Sequence, residues 1–156
     1  MKKIFVCSIL SVVLFFILIA GVQLVFVVPA SGGELRRLTP VDENKYKEGL
    51  EWHPDGQRLT YMYYGPDGIR QAYLDGRPTT LLIDQPDRWD YIGTWAPDGR
   101  RYYFMSWNEN DELGLYVYDD RLGNIAPFYS PIRENLDLPV WSRDGKTMVW
   151  ASSKKK

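Results

Sequence analysis

Between Leu59 and Tyr64, and again between Tyr102 and Trp107, apolar and aromatic side chains occupy almost every position. Alternation along an extended chain sends Leu59, Tyr61 and Tyr63 to one face and Thr60, Met62 and Tyr64 to the other. Tyr102, Phe104 and Ser106 likewise oppose Tyr103, Met105 and Trp107. Strands apolar on both faces belong to sheets covered on both sides. Each run is preceded by a related turn, Trp52-His53-Pro54-Asp55-Gly56 and Trp95-Ala96-Pro97-Asp98-Gly99, and a third copy follows at Trp141-Ser142-Arg143-Asp144-Gly145. Asp-Gly between apolar runs predicts a tight hairpin, because the glycine takes a positive φ freely and the aspartate binds nearby backbone. Arg143 replaces the proline of the other copies, but Asp144-Gly145 retains the chemistry of the turn. The tryptophans recur 43 and 46 residues apart, the period of a four-stranded propeller blade.

Two complete blades follow from this pattern. The first takes Leu50–Trp52, Leu59–Tyr64, Ile69–Leu74 after the turn Gly65-Pro66-Asp67-Gly68, and Thr80–Ile83. The second takes Ile92–Trp95, Tyr102–Trp107, Leu113–Tyr118 and Ile125–Tyr129. A third begins at Leu138–Trp141 and continues through Thr147–Ser152. Ahead of them, Leu35–Thr39 reads as a strand suited to closing the third blade, and Val41–Glu48 as a charged connection. The fold class expected is therefore all-β, a partial β-propeller of about two and a half four-stranded blades.

The tryptophan and Pro-Asp-Gly turn followed by a strand resemble the TolB-type β-propeller repeat, which closes its preceding blade with Leu-Thr. Here the closing pattern stands as Gly33-Glu34-Leu35-Arg36-Arg37-Leu38-Thr39, and more loosely as Thr79-Thr80-Leu81-Leu82-Ile83. The likeness covers most of residues 33–153. It implies an architecture and leaves activity open, since function resides in sites grafted on a fold.

The N-terminus has a different character. Met1-Lys2-Lys3 precedes an uncharged apolar run from Ile4 to Val28, interrupted by Ser8, Ser11, Gly21 and Gln23. As a helix it would reach about 37 Å, enough to cross a bilayer. The organisation expected is a transmembrane or signal helix over residues 1–30, followed by the propeller domain over residues 31–156. Its length favours an uncleaved signal anchor, while Val28-Pro29-Ala30-Ser31 supplies small residues for cleavage near Ala30. The leading lysines favour a cytoplasmic N-terminus and an extracytoplasmic domain, periplasmic or extracellular, and secreted if cleaved.

Composition removes several function classes. The 156 residues carry a net charge of −1, so no nucleic-acid surface is expected. Cys7 is the only cysteine and lies in the apolar run. His53 is the only histidine, which rules out the histidine clusters on which propeller lyases depend. It occupies a position held by Ala96 and Ser142 in the sister turns, so it reads as a turn residue. The acidic loop Asn108-Glu109-Asn110-Asp111-Glu112 invites calcium, but Leu113 stands where a calcium loop of the hand type needs glycine. Asp84, Asp87 and Asp90 read as solvated loop residues, and Asp119-Asp120 as a turn. No Gly-x-Ser-x-Gly elbow is present, and no phosphate-binding glycine loop. The expectation is no enzyme, with no catalytic residues, no cofactor and no metal.

What remains is binding. Trp52, Trp95 and Trp141 share one repeat position and read as core. Trp89 and Tyr91 lie between the predicted blades, at a propeller mouth or an interblade contact, and are the candidate partner-contact residues. A membrane-anchored protein-binding or scaffolding module is expected, with a protein partner or self-association through open blade edges, and membrane contact through residues 4–28. The alternative is a remnant or gating fragment of a longer propeller enzyme, because similar propellers gate prolyl-oligopeptidase-type peptidases.

Overall fold

The computed structural model describes residues 12–19, 22–40, 46–64, 68–110, 112–132 and 134–154. Fifteen strands and no helix occur among them. The chain divides into two compact units, Met1–Lys45 and Tyr46–Lys156.

In the first unit, β1 (Val12–Ile19) pairs antiparallel with β2 (Val22–Pro29), and β2 pairs with β3 (Arg36–Arg37). The expected N-terminal helix is thus not found among the described residues, and none of their helices is long and apolar enough to cross a membrane. The physical reason lies in composition. Val12, Val13, Ile17, Ile19, Val22, Val25, Val27 and Val28 are β-branched, and Phe15, Phe16 and Phe26 also favour strands. An apolar run by itself does not distinguish helix from buried strand. Residues 1–11, including Cys7, lie outside the described residues. A second correction concerns Leu35–Thr39, whose strand residues pair with Phe26 and Val27 rather than closing the third blade. Val25 fixes this return twice: its carbonyl accepts from Leu38 N–H at 2.8 Å and its N–H donates to the buried Thr39 hydroxyl at 3.0 Å.

The second unit holds two four-stranded antiparallel sheets in sequential order. The first comprises β4 (Lys47–Trp52), β5 (Arg58–Tyr63), β6 (Ile69–Tyr73) and β7 (Thr80–Ile83); the second comprises β8 (Arg88–Trp95), β9 (Arg101–Asn108), β10 (Leu113–Asp119) and β11 (Asn124–Ile132). Both middle strands are covered on both faces as expected: Leu59 through Tyr63 and Tyr102 through Ser106 are all buried. Residues 65–67 of the predicted turn in the first blade, and 41–45 of the charged connection, lie outside the described residues. The third repeat is shorter than expected. Among the described residues β13 (Val140–Trp141) pairs only with β14 (Met148–Val149), and β15 (Ser152–Lys154) leaves it to pair with β12 (Glu134–Leu136).

The three repeated turns share one set of bonds. Gly56, Gly99 and Gly145 have φ of 68°, 70° and 69°, and each donates its N–H to the carbonyl three residues earlier, at 2.8–2.9 Å. Asp55, Asp98 and Asp144 each accept the N–H two residues on. Where Arg143 replaces proline, the Ser142 hydroxyl donates to Asp144 at 2.6 Å and accepts from Thr147 N–H at 3.0 Å.

Equivalent residues also dock one sheet on the next. Trp95 Nε1 donates to Thr60 Oγ1 at 2.7 Å, Thr94 to Glu51 at 3.1 Å, and Arg58 reaches across to Asp120 at 2.8 Å. His53 is buried, edge-on to Trp95 at 4.4 Å between ring centroids, with Nε2 2.9 Å from the Gly99 carbonyl. One repeat later, Trp141 meets Tyr103 at 5.3 Å, and Leu138, Met148 and Trp150 pack on the buried cluster of Tyr103, Met105, Leu115 and Leu136.

Candidate functional site

Trp89 and Tyr91 stand on β8 itself, which begins four residues earlier than the pattern of apolar positions indicates. The chain enters this strand through Pro86-Asp87, where Asp87 has a φ of 60°, a conformation aspartate tolerates better than most residues. Arg88 then ties the strand to β9, its guanidinium donating to the Ser106 hydroxyl and carbonyl, both at 2.9 Å, and lying 4.6 Å from the Tyr116 ring centroid.

Trp89 is paired directly with Trp107 across the β8–β9 ladder. The rings meet nearly perpendicular, at 6.3 Å and 89°. A register shift between Asp90 and Gly93 follows, and Tyr91 closes on the same Trp107 at 5.4 Å. Asp90 turns inward and is buried, accepting from Gln85 N–H at 2.8 Å and Gln85 Nε2 at 2.6 Å. Burial pushes its carboxyl above the ordinary range, against the opposing pull of the Gln85 and Ser106 hydrogen bonds and of Arg88.

These rings line a cleft of about 550 Å³ between the first and second sheets, completed by Met62 and Tyr63 at the end of β5 and by Tyr64 just beyond it. A volume of this order suits a small molecule or an inserted side chain with its flanking backbone. Trp89 is 62% exposed and Tyr64 64% exposed. Glu48, on β4, accepts the Tyr91 hydroxyl at 3.2 Å. Burial first, and then the negative charge of Glu48, raise the Tyr91 phenol above its ordinary value. A second cleft of about 610 Å³ shares Trp89 and Trp107 and is lined by Asp84, Gln85, Pro86, Asp87, Arg88, Asn108 and Glu109.

Asn108 and Asp119, also singled out in the sequence, hold their own turns. Asn108 Oδ1 accepts the backbone N–H groups of Asn110 and Glu112; Asp111 lies outside the described residues. Asp119 accepts from Arg121 and Leu122 N–H and from Arg100. Among the described residues, no group of three or more His, Cys, Asp or Glu side chains is placed to hold a metal ion. Trp107 and Tyr64 were missing from the sequence-derived site. Both continue strands whose pattern reads as core, and only the position of Trp89 opposite Trp107 could have hinted at a shared cleft.

No protein-family model matches the chain. Its sequence is 26% identical over 113 residues to a putative tricorn-like protease C-terminal subunit of Sulfurisphaera tokodaii, covering 62% of this chain and 13% of that protein. It is 27% identical over 111 residues to a tricorn protease homolog of Saccharolobus solfataricus, covering 62% and 10%. The chain thus spans about a tenth of the length of these relatives. Among solved structures, a protein described as putative TolB of Agrobacterium tumefaciens superposes with a TM-score of 0.69 at 18% identity, over 90% of this chain and 53% of that one. TolB of Acinetobacter baumannii gives 0.67 at 17%, over 86% and 33%. The tricorn protease gives 0.67 at 13%, over 89% and 14%. Sheet order, turn chemistry and these likenesses agree: in fold, the chain is part of a TolB-like β-propeller.

Proposed function

We propose that this chain is a protein-binding or scaffolding module that presents its propeller repeats on the extracytoplasmic side, with residues 4–28 as its membrane contact although none of the described ones forms a helix able to span. It has no catalytic role of its own in this reading. The observation that carries it is the aromatic cleft: Trp89 is left 62% exposed beside Tyr91, Trp107 and Tyr64. Large rings that form a cleft with one face in water supply contact area at little entropic expense, as binding hot spots do. Self-association uses the open third repeat, where Val140 and Val149 are directly paired yet 60% and 61% exposed.

The test is photocrosslinking in cells with benzoylphenylalanine at position 89 of the full chain, with position 122 as the control, since Leu122 is equally exposed and far along the sequence from the cleft. A discrete polypeptide adduct at 89 and none at 122 supports the reading. Equal labelling, or none, removes it.

A second reading is favoured by the names of the sequence relatives, which are proteases: the repeats serve as the gating part of a longer propeller peptidase. Its adduct at position 89 would be a peptidase catalytic segment or a substrate peptide.

A further inference from the structure

The rings of the cleft are not surrounded by neutral surface. Glu48, outside the lining itself, is bonded to one of its rings through the Tyr91 hydroxyl, and the buried Asp90 is among the lining residues, its oxygens taken up by Gln85. The adjoining cleft adds Asp84, Asp87 and Glu109. Against these stand Arg88, whose guanidinium is committed to Ser106 and to the face of Tyr116, and Lys47 and Arg70, both already seated on Tyr63. The lining also shows that its aromatic faces attract positive charge. Lys47 Nζ lies 5.2 Å, and Arg70 Cζ 5.1 Å, from the centroid of Tyr63, the buried ring of the set. Trp89 and Tyr64 present the same kind of face to solvent.

Aromatic faces combined with carboxylates select against anions and favour a cation carried on an apolar stem, since the stem packs on the rings while the charge meets the ring quadrupole and the carboxylate. A neutral apolar group would gain the packing but not the charge. An acidic segment would meet Glu48, Asp84, Asp87 and Glu109 as like charges.

We infer that the segment bound by this cleft is basic, with one lysine side chain laid along Trp89, Trp107 and Tyr91, its ammonium directed to Glu48, and flanking positive residues facing Asp84, Asp87 and Glu109. This rests on the reading of the cleft as a protein-contact site and adds the chemistry of the contact.

The experiment uses the purified full-length chain in maltoside detergent, labelled with ¹⁵N-tryptophan, titrated with three capped pentapeptides that are glycine except for a central lysine, norleucine or glutamate. The lysine peptide is expected to saturate the indole shifts of Trp89 and Trp107 with an affinity about five- to tenfold above that of the norleucine peptide. Glu48→Gln keeps an acceptor for the Tyr91 hydroxyl while removing the charge. It is expected to erase most of that preference without moving the norleucine affinity. Trp89→Ala, at an exposed position, should weaken the lysine peptide about fivefold or more. Equal binding of norleucine and lysine, tighter binding of glutamate, or no saturation up to about 20 mM would each overturn the inference. The two ideas fail separately. A polypeptide adduct at position 89 without lysine preference removes the basic-segment inference alone, whereas lysine preference without any adduct removes the protein-partner reading.

Discussion

Replacing Thr60 with valine probes the docking of one sheet on the next with almost no change of shape. Thr60 is fully buried, and its hydroxyl accepts the Trp95 indole N–H at 2.7 Å. Valine fills the same volume but cannot accept, so a donor on a ring only 3% exposed loses its bond and cannot reach water. Leaving a buried donor unmade costs about 1–3 kcal/mol. For a unit of roughly this size that is about 4–8 °C in melting temperature per kcal/mol. Trp95→Phe removes the donor instead and costs more through lost volume, chiefly against His53 and Tyr102. In the double variant neither partner is stranded, so the two losses should fall short of additivity by about 1 kcal/mol. The assay is urea unfolding of the four full-length chains in maltoside, followed by near-ultraviolet circular dichroism. Strict additivity, or a Thr60→Val loss below about 0.3 kcal/mol, would refute the docking geometry.

Gly93→Ala should lose about 3 kcal/mol or more, because a Cβ there would stand 2.2 Å from the Tyr103 carbonyl and 2.8 Å from Phe104 Cβ; a melt within a few degrees of wild type would contradict this. The Glu51 carboxyl is raised above its usual 4.5, by burial first, against the hydrogen bonds from Thr94 and the Trp95 backbone. The folded chain therefore binds that proton more tightly than the unfolded chain, and the stabilisation is present below about 4.5 and lost as pH rises through the folded value. Glu51→Gln should accordingly gain stability relative to wild type between about pH 4 and about pH 7, and parallel melting curves would contradict it. Self-association through the third repeat predicts a dimer by light scattering that Val140→Lys with Val149→Lys converts to monomer; an unchanged mass would argue against that edge. Anchoring through residues 4–28 predicts that the full chain stays with membranes after an alkaline wash and that its deletion variant does not.

The repeated turns were legible because their chemistry is local. Asp-Gly after the repeat tryptophan makes the same hydrogen bonds in all three copies, with or without a preceding proline, and the two middle strands followed from apolar residues on both faces. The N-terminal run was not legible in the same way. Hydrophobicity at nearly every position records burial and not period, and β-branched content carried the information that length concealed. Leu35–Thr39 was misassigned because its pattern shows a strand but not its partner; pairing with Phe26 and Val27 is a long-range choice. The third repeat kept its turn but lost its blade, since Ser152–Lys154 pairs with Glu134–Leu136, a segment without a repeat signature. At the cleft, Trp89 and Tyr91 stood out as aromatics between blades, whereas Trp107 within β9 and Tyr64 just past β5 were hidden in runs that otherwise point to the core.

The most direct measurement is the exchange rate of the six tryptophan indole N–H groups in the ¹⁵N-tryptophan-labelled full chain, assigned by single Trp→Phe variants. The account predicts that the Trp95 proton, bonded to Thr60 inside the sheet-to-sheet contact, exchanges only with unfolding of the repeats, while that of Trp89 exchanges at the rate of a free indole. A fast Trp95 would contradict the propeller docking, and a protected Trp89 in the unliganded chain would contradict an open aromatic cleft.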